Sequence, residues 1–132
     1  MPIRKKRSNT SLYRSGFEQK VTDVLRSEGV AHEYETLKLK YTIPESNHTY
    51  TPDIILSNGI VVETKGFFDS ENFKKMSLVI AQNPHLDIRI CFQQPNNKIR
   101  KGSKTTYAMK CDKLGIKWGT ISDILAWSKE TP

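Results

Sequence analysis

Two carboxylates and a lysine in the middle of the chain have the spacing that metal-assisted chemistry on a phosphate would need. Asp53 follows Pro52, nine residues separate it from Glu63, and Lys65 stands two positions further on. Two carboxylates on adjacent strands can hold Mg²⁺, a hard cation that prefers oxygen ligands. The metal would lower the pKa of a water molecule and neutralise charge on a phosphate. Lys65 would project from the same strand face as Glu63, where it can orient that water or stabilise negative charge.

This spacing resembles the PD…(D/E)xK pattern of a large nuclease superfamily. A Pro-Asp pair followed by Glu-x-Lys also arises by chance, and surface salt-bridge residues are the alternative interpretation. The setting favours a site, because the acids stand among the apolar residues 54–56 and 60–62. Burying carboxylates there is costly unless they are paired or bind a cation.

The turn between the two strands decides whether the acids can share a metal. A two-residue loop would leave Glu63 on the face opposite to Asp53. A three-residue loop would pair Leu56 with Ile60 and set Asp53 directly opposite Glu63. Such loops commonly place a glycine in the left-handed region as part of a bulge, and Gly59 suits that position. A shared metal site therefore requires the longer loop.

Apolar periodicity predicts the elements around this hairpin. A first helix is expected to begin after Ser15 and to stop near Gly29, followed by one long strand over residues 31–41 and a loop over residues 44–47. The other expected elements are strands 53–56 and 60–65, a helix from Asp69 or Ser70 to about Asn83, strand 87–92, a polar loop 93–105, a helix 106–114, strand 116–118 and a helix 121–129. This order indicates an α/β fold with a mixed central β-sheet flanked by helices.

The charge balance indicates the class of partner. The 132 residues include 21 Lys and Arg against 14 Asp and Glu, which gives a net charge of +7. A small basic domain favours a polyanionic partner, with a merely basic soluble protein as the alternative. A membrane partner is not expected, because no apolar run approaches the roughly 18 residues that span a bilayer. The two cysteines have no metal or redox spacing, which indicates a reduced, intracellular protein.

The basic residues predict where nucleic acid would bind. Residues 1–13 resemble a flexible basic arm of the kind that lies along phosphates. Any single lysine could instead lie on a solvated face without contacting DNA. His48 could instead make a hydrogen bond that stabilises its loop. The candidate contacts are Arg4, Lys5, Lys6, Arg7, Arg14, His48, Lys74, Lys75, Lys98, Arg100, Lys101 and Lys104.

Glu18 has two interpretations. It stands three residues after Ser15, and this spacing fits a capping box in which Ser15 is the N-cap and Glu18 bonds back to it. On the residues alone, capping is the first interpretation of Glu18.

Longer stretches of the chain resemble the phage endonuclease I family, the enzymes of T-odd-type phages that resolve Holliday junctions. The resemblance covers about residues 12–118 in the same order, and residues 46–53 and 62–66 are its most specific parts. The basic arm and the chain after about Trp118 match the family poorly. The stretches that carry the resemblance are 14–18, 41–44, 46–53, 58–60, 62–66, 86–90 and 113–117.

The resemblance implies a restriction-endonuclease-like core in a domain-swapped homodimer that makes paired nicks in four-way junctions and other branched DNA. It implies residues 14–132 as a single nuclease domain after the arm, with about residues 14–45 exchanged between subunits. Two Mg²⁺ (or Mn²⁺) ions per active site are implied, with no small-molecule cofactor, and a phage-encoded protein would act in the host-cell cytoplasm.

The resemblance also implies site residues. The catalytic residues would be Glu18, Asp53, Glu63 and Lys65, with the backbone carbonyl of Thr64 as a further metal ligand beside the three acids. Glu18 would serve the second metal and could not then make a normal capping-box contact. Two other functions stay open: a non-enzymatic basic nucleic-acid-binding module whose motif acids are structural, and a sequence-specific restriction-type nuclease on the same core.

Overall fold

The computed structural model describes residues 16–43 and 46–132, which form four helices and seven strands. The predicted arm, Arg14 and the predicted N-cap Ser15 lie outside the described residues. In this part of the chain no helix is both long and apolar enough to cross a membrane. The elements in chain order are α1 (Gly16–Ser27), β1 (His32–Tyr34), β2 (Leu39–Ile43), β3 (Ser46–Tyr50), β4 (Ile54–Leu56), β5 (Val61–Lys65), α2 (Ser70–Gln82), β6 (Ile88–Phe92), α3 (Tyr107–Leu114), β7 (Lys117–Gly119) and α4 (Ile121–Ser128).

Five strands form one mixed sheet in the order β1-β4-β5-β6-β7. The β1–β4 and β4–β5 pairs are antiparallel, whereas β6 lies parallel to both β5 and β7. Parallel neighbours need a crossover, and α2 and α3 supply the two crossovers. Strands β2 and β3 form a separate antiparallel hairpin. The predicted mixed sheet with flanking helices is confirmed.

Each face of the central sheet is covered by its own apolar cluster. Because side chains alternate along a strand, Val61 and Val62 of β5 enter different clusters. On one face Phe68 packs edge-to-face on Phe73 of α2, with ring centroids 4.5 Å apart. On the other face Leu25 of α1 lies in the second cluster with residues of β4 and α4. The central strand β5 is therefore buried on both faces.

The turn between β4 and β5 has the three-residue form that a shared site requires. Leu56 donates its backbone N–H to Ile60 O at 2.9 Å, and Ile54 pairs with Val62. Gly59 has φ +92°, in the region that favours glycine. Continued by one step, this register sets Asp53 opposite Glu63, as predicted.

The predicted long strand over residues 31–41 is wrong. The segment is broken into β1, which joins the central sheet, and β2, which belongs to the separate hairpin. The break begins at Glu35, whose φ of +53° is incompatible with a continuing strand. The predicted loop over residues 44–47 is also too long, because Ser46 and Asn47 pair with β2 as part of β3; Pro44 and Glu45 lie outside the described residues.

The helix boundaries agree with the capping signals in the sequence. Asp69 accepts a hydrogen bond from the backbone N–H of Asn72 and begins α2. Thr106 accepts a hydrogen bond from the backbone N–H of Met109 and begins α3. The cap that follows α3 is Gly115, in the left-handed conformation.

Candidate active site

The motif residues line one cleft of about 530 Å³ at the end of the β4–β5 hairpin. Asp53 immediately precedes β4, whereas Glu63, Thr64 and Lys65 end β5. Glu18 of α1 lines the same cleft, although it is distant from the hairpin in sequence. The structure therefore brings together all five residues that the sequence assigned to catalysis or metal binding.

Asp53 is buried and held by its neighbour in β5. Its Oδ2 accepts hydrogen bonds from the Thr64 backbone N–H at 3.0 Å and from Thr64 Oγ1 at 2.9 Å. Burial, followed by the charge of Glu63, raises the pKa of Asp53 to about 6, while the Thr64 bonds oppose the rise. A positive ion beside Asp53 would favour its charged form and reverse that shift.

Glu63 is only 5 % exposed and has two partners of different kinds. Tyr50 donates its hydroxyl hydrogen to Glu63 Oε1, and Lys65 Nζ lies 3.3 Å from Oε2. Burial raises the pKa of Glu63, and the charge of Lys65 is the largest effect that opposes it. The predicted placement of Lys65 on the face of Glu63 is confirmed.

Glu18 faces the cleft from α1, where it is 5 % exposed. Tyr34 of β1 donates its hydroxyl hydrogen to Glu18 Oε1 at 2.7 Å. Carboxylate oxygens of Glu18, Glu35 and Asp53 lie within 4.8 Å of one another. Glu35 was not foreseen, and its backbone N–H donates to Asp53 O at 2.8 Å. All of these contacts form within one chain.

The donor chemistry of the cleft fits a hard divalent cation. Asp53 is close to several other acids. The hairpin register sets Glu63 opposite it, and carboxylate oxygens of Glu18 and Glu35 lie within 4.8 Å of its own. Carboxylate oxygens are the ligands that Mg²⁺ and Mn²⁺ prefer. Buried acids this close repel one another unless cations or protons compensate their charge. Asp53 is therefore the acid that could share cations with Glu63 and with the Glu18–Glu35 pair.

The predicted nucleic-acid contacts are distributed unevenly around the cleft. Lys75 of α2 lines it, with Nζ 4.9 Å from the centroid of the Tyr50 ring. A neighbouring groove is lined by Lys98, Arg100 and Lys101. Lys74 and Lys104 are exposed outside the cleft.

His48 is an exposed residue of β3 and does not line the cleft. Its Nε2 lies 2.9 Å from Ser46 Oγ, and its ring stacks on Tyr41 with centroids 5.3 Å apart. These contacts favour the stabilising role that the sequence left open for His48.

Sequence reasoning missed the two tyrosines and the extra acid that hold the site. Tyr50 stands three residues before Asp53, within the stretch most specific to the family, and this position was the available signal. Tyr34 and Glu35 carried no signal, because their contacts depend on how β1 packs beside β4.

The chain is similar to known phage nucleases along most of its length. The model of the family described as Phage endonuclease I matches residues 1–132, a longer stretch than the residues 12–118 expected from the sequence. The chain is 50% identical over 118 residues to Endonuclease I of Escherichia phage T7, covering 89% of this chain and 79% of that protein. It is 49% identical over 104 residues to Endodeoxyribonuclease 1 of Enterobacteria phage T3, covering 79% and 68% of the two chains. The acidic cleft thus lies in a chain that belongs to the phage endonuclease I family.

Proposed function

We propose that this chain is a structure-selective endodeoxyribonuclease that hydrolyses phosphodiester bonds in four-way junctions and other branched DNA. The observation that supports this most directly is the convergence of Glu18, Asp53, Glu63 and Lys65 in one cleft. The net charge of +7 and the basic groove beside the cleft suit a DNA substrate. The names of the relatives in phages T7 and T3 support the same reaction class.

The ligands for two Mg²⁺ (or Mn²⁺) ions would be Glu18, Asp53, Glu63 and the backbone carbonyl of Thr64. When bound, a divalent cation neutralises charge at the scissile phosphate and lowers the pKa of water. Asp53 and Glu63 are held in place by Thr64 and Tyr50, so little reorganisation is needed on loading.

Lys65 is the positively charged side chain that would act on the attacking water or on the phosphate. It is paired with Glu63 at 3.3 Å, and its side chain keeps 29 % of its surface exposed to the cleft. An ammonium group placed there can orient the attacking water or stabilise charge that develops on the phosphate. In-line attack by water would leave 5′-phosphate and 3′-hydroxyl ends.

The protein would act as a homodimer with a restriction-endonuclease-like core. We propose residues 14–132 as the nuclease domain, preceded by a basic arm over residues 1–13, in host-cell cytoplasm. Exchange of about residues 14–45 would move α1, β1 and β2 onto a partner, so that Glu18 completes the partner's site. The exchange would keep the Glu18–Tyr34 bond within the moving segment and remake the β1–β4 and β2–β3 pairings between chains.

One gel tests the proposed function. The protein is incubated with Mg²⁺ and either a synthetic four-way junction or a linear duplex of the same sequence. Paired cuts near the branch, with the duplex left intact, are expected. Cleavage of the duplex at a fixed sequence would instead indicate a restriction-type nuclease. Binding without cleavage of either DNA would indicate a non-enzymatic binding module.

A further inference from the structure

The most exposed large apolar side chain in the described residues is Phe67, which keeps 71 % of its surface in solvent. It stands two residues after Lys65, at the rim of the catalytic cleft. The next residue, Phe68, is fully buried. An aromatic ring left in water beside a charged site keeps its apolar surface unfavourably hydrated unless a ligand covers it.

The backbone on both sides of Phe67 is fixed. Lys65 O accepts a hydrogen bond from Gln93 N at 3.0 Å, and Phe68 N donates to Tyr107 Oη at 3.0 Å. The Phe68 ring packs on Phe73 and Phe92 in the core. Phe67 is therefore presented on an anchored segment, and binding through its ring would cost little conformational entropy.

Phe67 also lines the neighbouring groove, so it divides that groove from the catalytic cleft. The groove contains three basic side chains, Lys98, Arg100 and Lys101, against two acidic ones, Asp69 and Glu71. The carboxylate of Asp69 is occupied as the cap of α2. A polyanion that extends from the cleft into the groove would pass directly over the Phe67 ring.

We infer that Phe67 stacks on a nucleobase at the branch point of the DNA, next to the scissile phosphate. Every base has a π-face, so an aromatic ring can stack on it without reading sequence. In linear duplex those faces are covered, and a base must be unstacked before its face can meet the ring. At a branch point the stack is already interrupted. Phe67 would therefore contribute to discrimination between junctions and duplex, an inference that rests on the proposed DNA substrate.

The test measures binding in metal-free buffer with EDTA, so that no DNA is cut. Phe67→Ala is expected to lower junction affinity about tenfold, within the range for one lost base stack, and to leave duplex affinity within about twofold. Phe67→Trp should retain junction affinity, and its added tryptophan fluorescence should be quenched by junction but not by duplex. Phe67→Leu is apolar but has no π-face, so its loss should match that of Phe67→Ala.

Met109→Ala provides the matched control, because Met109 is 52 % exposed and lines neither the cleft nor the groove. Its affinity for both DNAs should stay at the wild-type value. Unchanged junction affinity in Phe67→Ala, or an equal loss on junction and duplex, would overturn the inference. A change in oligomeric state by light scattering would overturn it too, since Phe67 would then contact a second copy of the chain. The binding measurements test the role of Phe67 and do not depend on cleavage. Failure of the wild-type protein to cut any DNA would contradict the proposed function without deciding the role of Phe67.

Discussion

Tyr50 donates a hydrogen bond to the buried carboxylate of Glu63 from a strand outside the central sheet. The tyrosine is itself 2 % exposed, and burial raises its pKa well above the usual value, so it stays a proton donor. This bond fixes one oxygen of Glu63 while Lys65 approaches the other. The geometry of the site therefore depends on the β2–β3 hairpin as well as on the motif strands.

Replacing Tyr50 with phenylalanine should weaken metal loading without removing the ring. Partners that orient metal ligands typically change metal affinity or activity about 10- to 100-fold, so the half-saturating Mg²⁺ concentration should rise by about tenfold. Cleavage rates measured across a Mg²⁺ titration check this. Tyr41→Phe is the control, because Tyr41 is buried in the same hairpin but does not line the cleft. An unchanged Mg²⁺ dependence in Tyr50→Phe would show that the bond is only structural.

Replacing Asp53, Glu63 or Lys65 should slow DNA cleavage strongly while DNA binding is largely retained. Asp53→Asn, Glu63→Gln and Lys65→Ala are each expected to slow junction cleavage at least about 100-fold, as for groups that act in the transition state. Phosphate contacts supply most of the affinity, so junction binding should change little. The amide variants keep an acceptor for the buried donors of Thr64 and Tyr50. A variant that cuts at nearly the wild-type rate would remove that residue from the mechanism.

DNA affinity should fall steeply with salt. Each neutralised phosphate contributes about −0.9 to the slope of log affinity against log salt, and a chain with a charge of +7 can neutralise several. Deleting residues 1–8 should reduce that slope more than it changes the preference for junctions. Binding isotherms at several salt concentrations measure both. The opposite pattern, with junction preference lost at constant affinity, would mean that the arm reads branch geometry.

Arg89 of β6 connects the central sheet to α4 and the residues that follow it. It is 6 % exposed and bonds to Asp87 and Glu130, with its guanidinium 5.2 Å from the Trp127 ring centroid. Arg89→Met should lower the Tm by about 5 °C, the effect of roughly 1 kcal/mol in a domain of this size. Lys117→Ala is the control, since Lys117 is 65 % exposed and reaches Asp87 only at 3.5 Å. Equal Tm values in the Arg89→Met variant and the wild type would refute the stabilising role.

The same cluster predicts a dependence on pH. The hydrogen bond from Arg89 is the main cause that lowers the pKa of Asp87. A carboxyl whose pKa is lower in the folded state stabilises the protein above its unfolded pKa, near 4, and the stabilisation is lost as pH falls through the folded pKa. The Tm difference between wild type and Arg89→Met should therefore be constant near neutral pH and narrow below about pH 4. Melting curves from pH 7 to pH 2 would show this.

A mixing experiment tests the exchange of residues 14–45 between subunits. Glu18→Ala and Asp53→Ala chains, each inactive alone, are unfolded together and refolded. In an exchanged heterodimer one site receives both lesions and the other is intact, so nicking of one strand should return without paired cleavage. Without exchange every site keeps one lesion, and the mixture would stay inactive. Each variant unfolded and refolded alone is the control, and it should stay inactive.

The sequence by itself determined the part of the site that lies in one hairpin. Because side chains alternate along a strand, only a three-residue turn sets Asp53 opposite Glu63. The sequence therefore tied a shared site to that turn, and the structure has it at Gly59. The cap that the sequence placed at Asp69 or Ser70 likewise marked the start of α2, because caps act on backbone groups a few residues away.

Only the tertiary structure decided what surrounds that hairpin. The left-handed backbone of Glu35 breaks the expected strand, and alternation along the chain cannot reveal such a break. The same break turns β2 into a separate hairpin with β3, which carries Tyr50 to Glu63. Glu18 reaches Asp53 because α1 packs across the central sheet, and that packing depends on apolar surfaces distant in the chain. Long-range contacts of this kind are selected by the packing of whole elements, which no local pattern specifies.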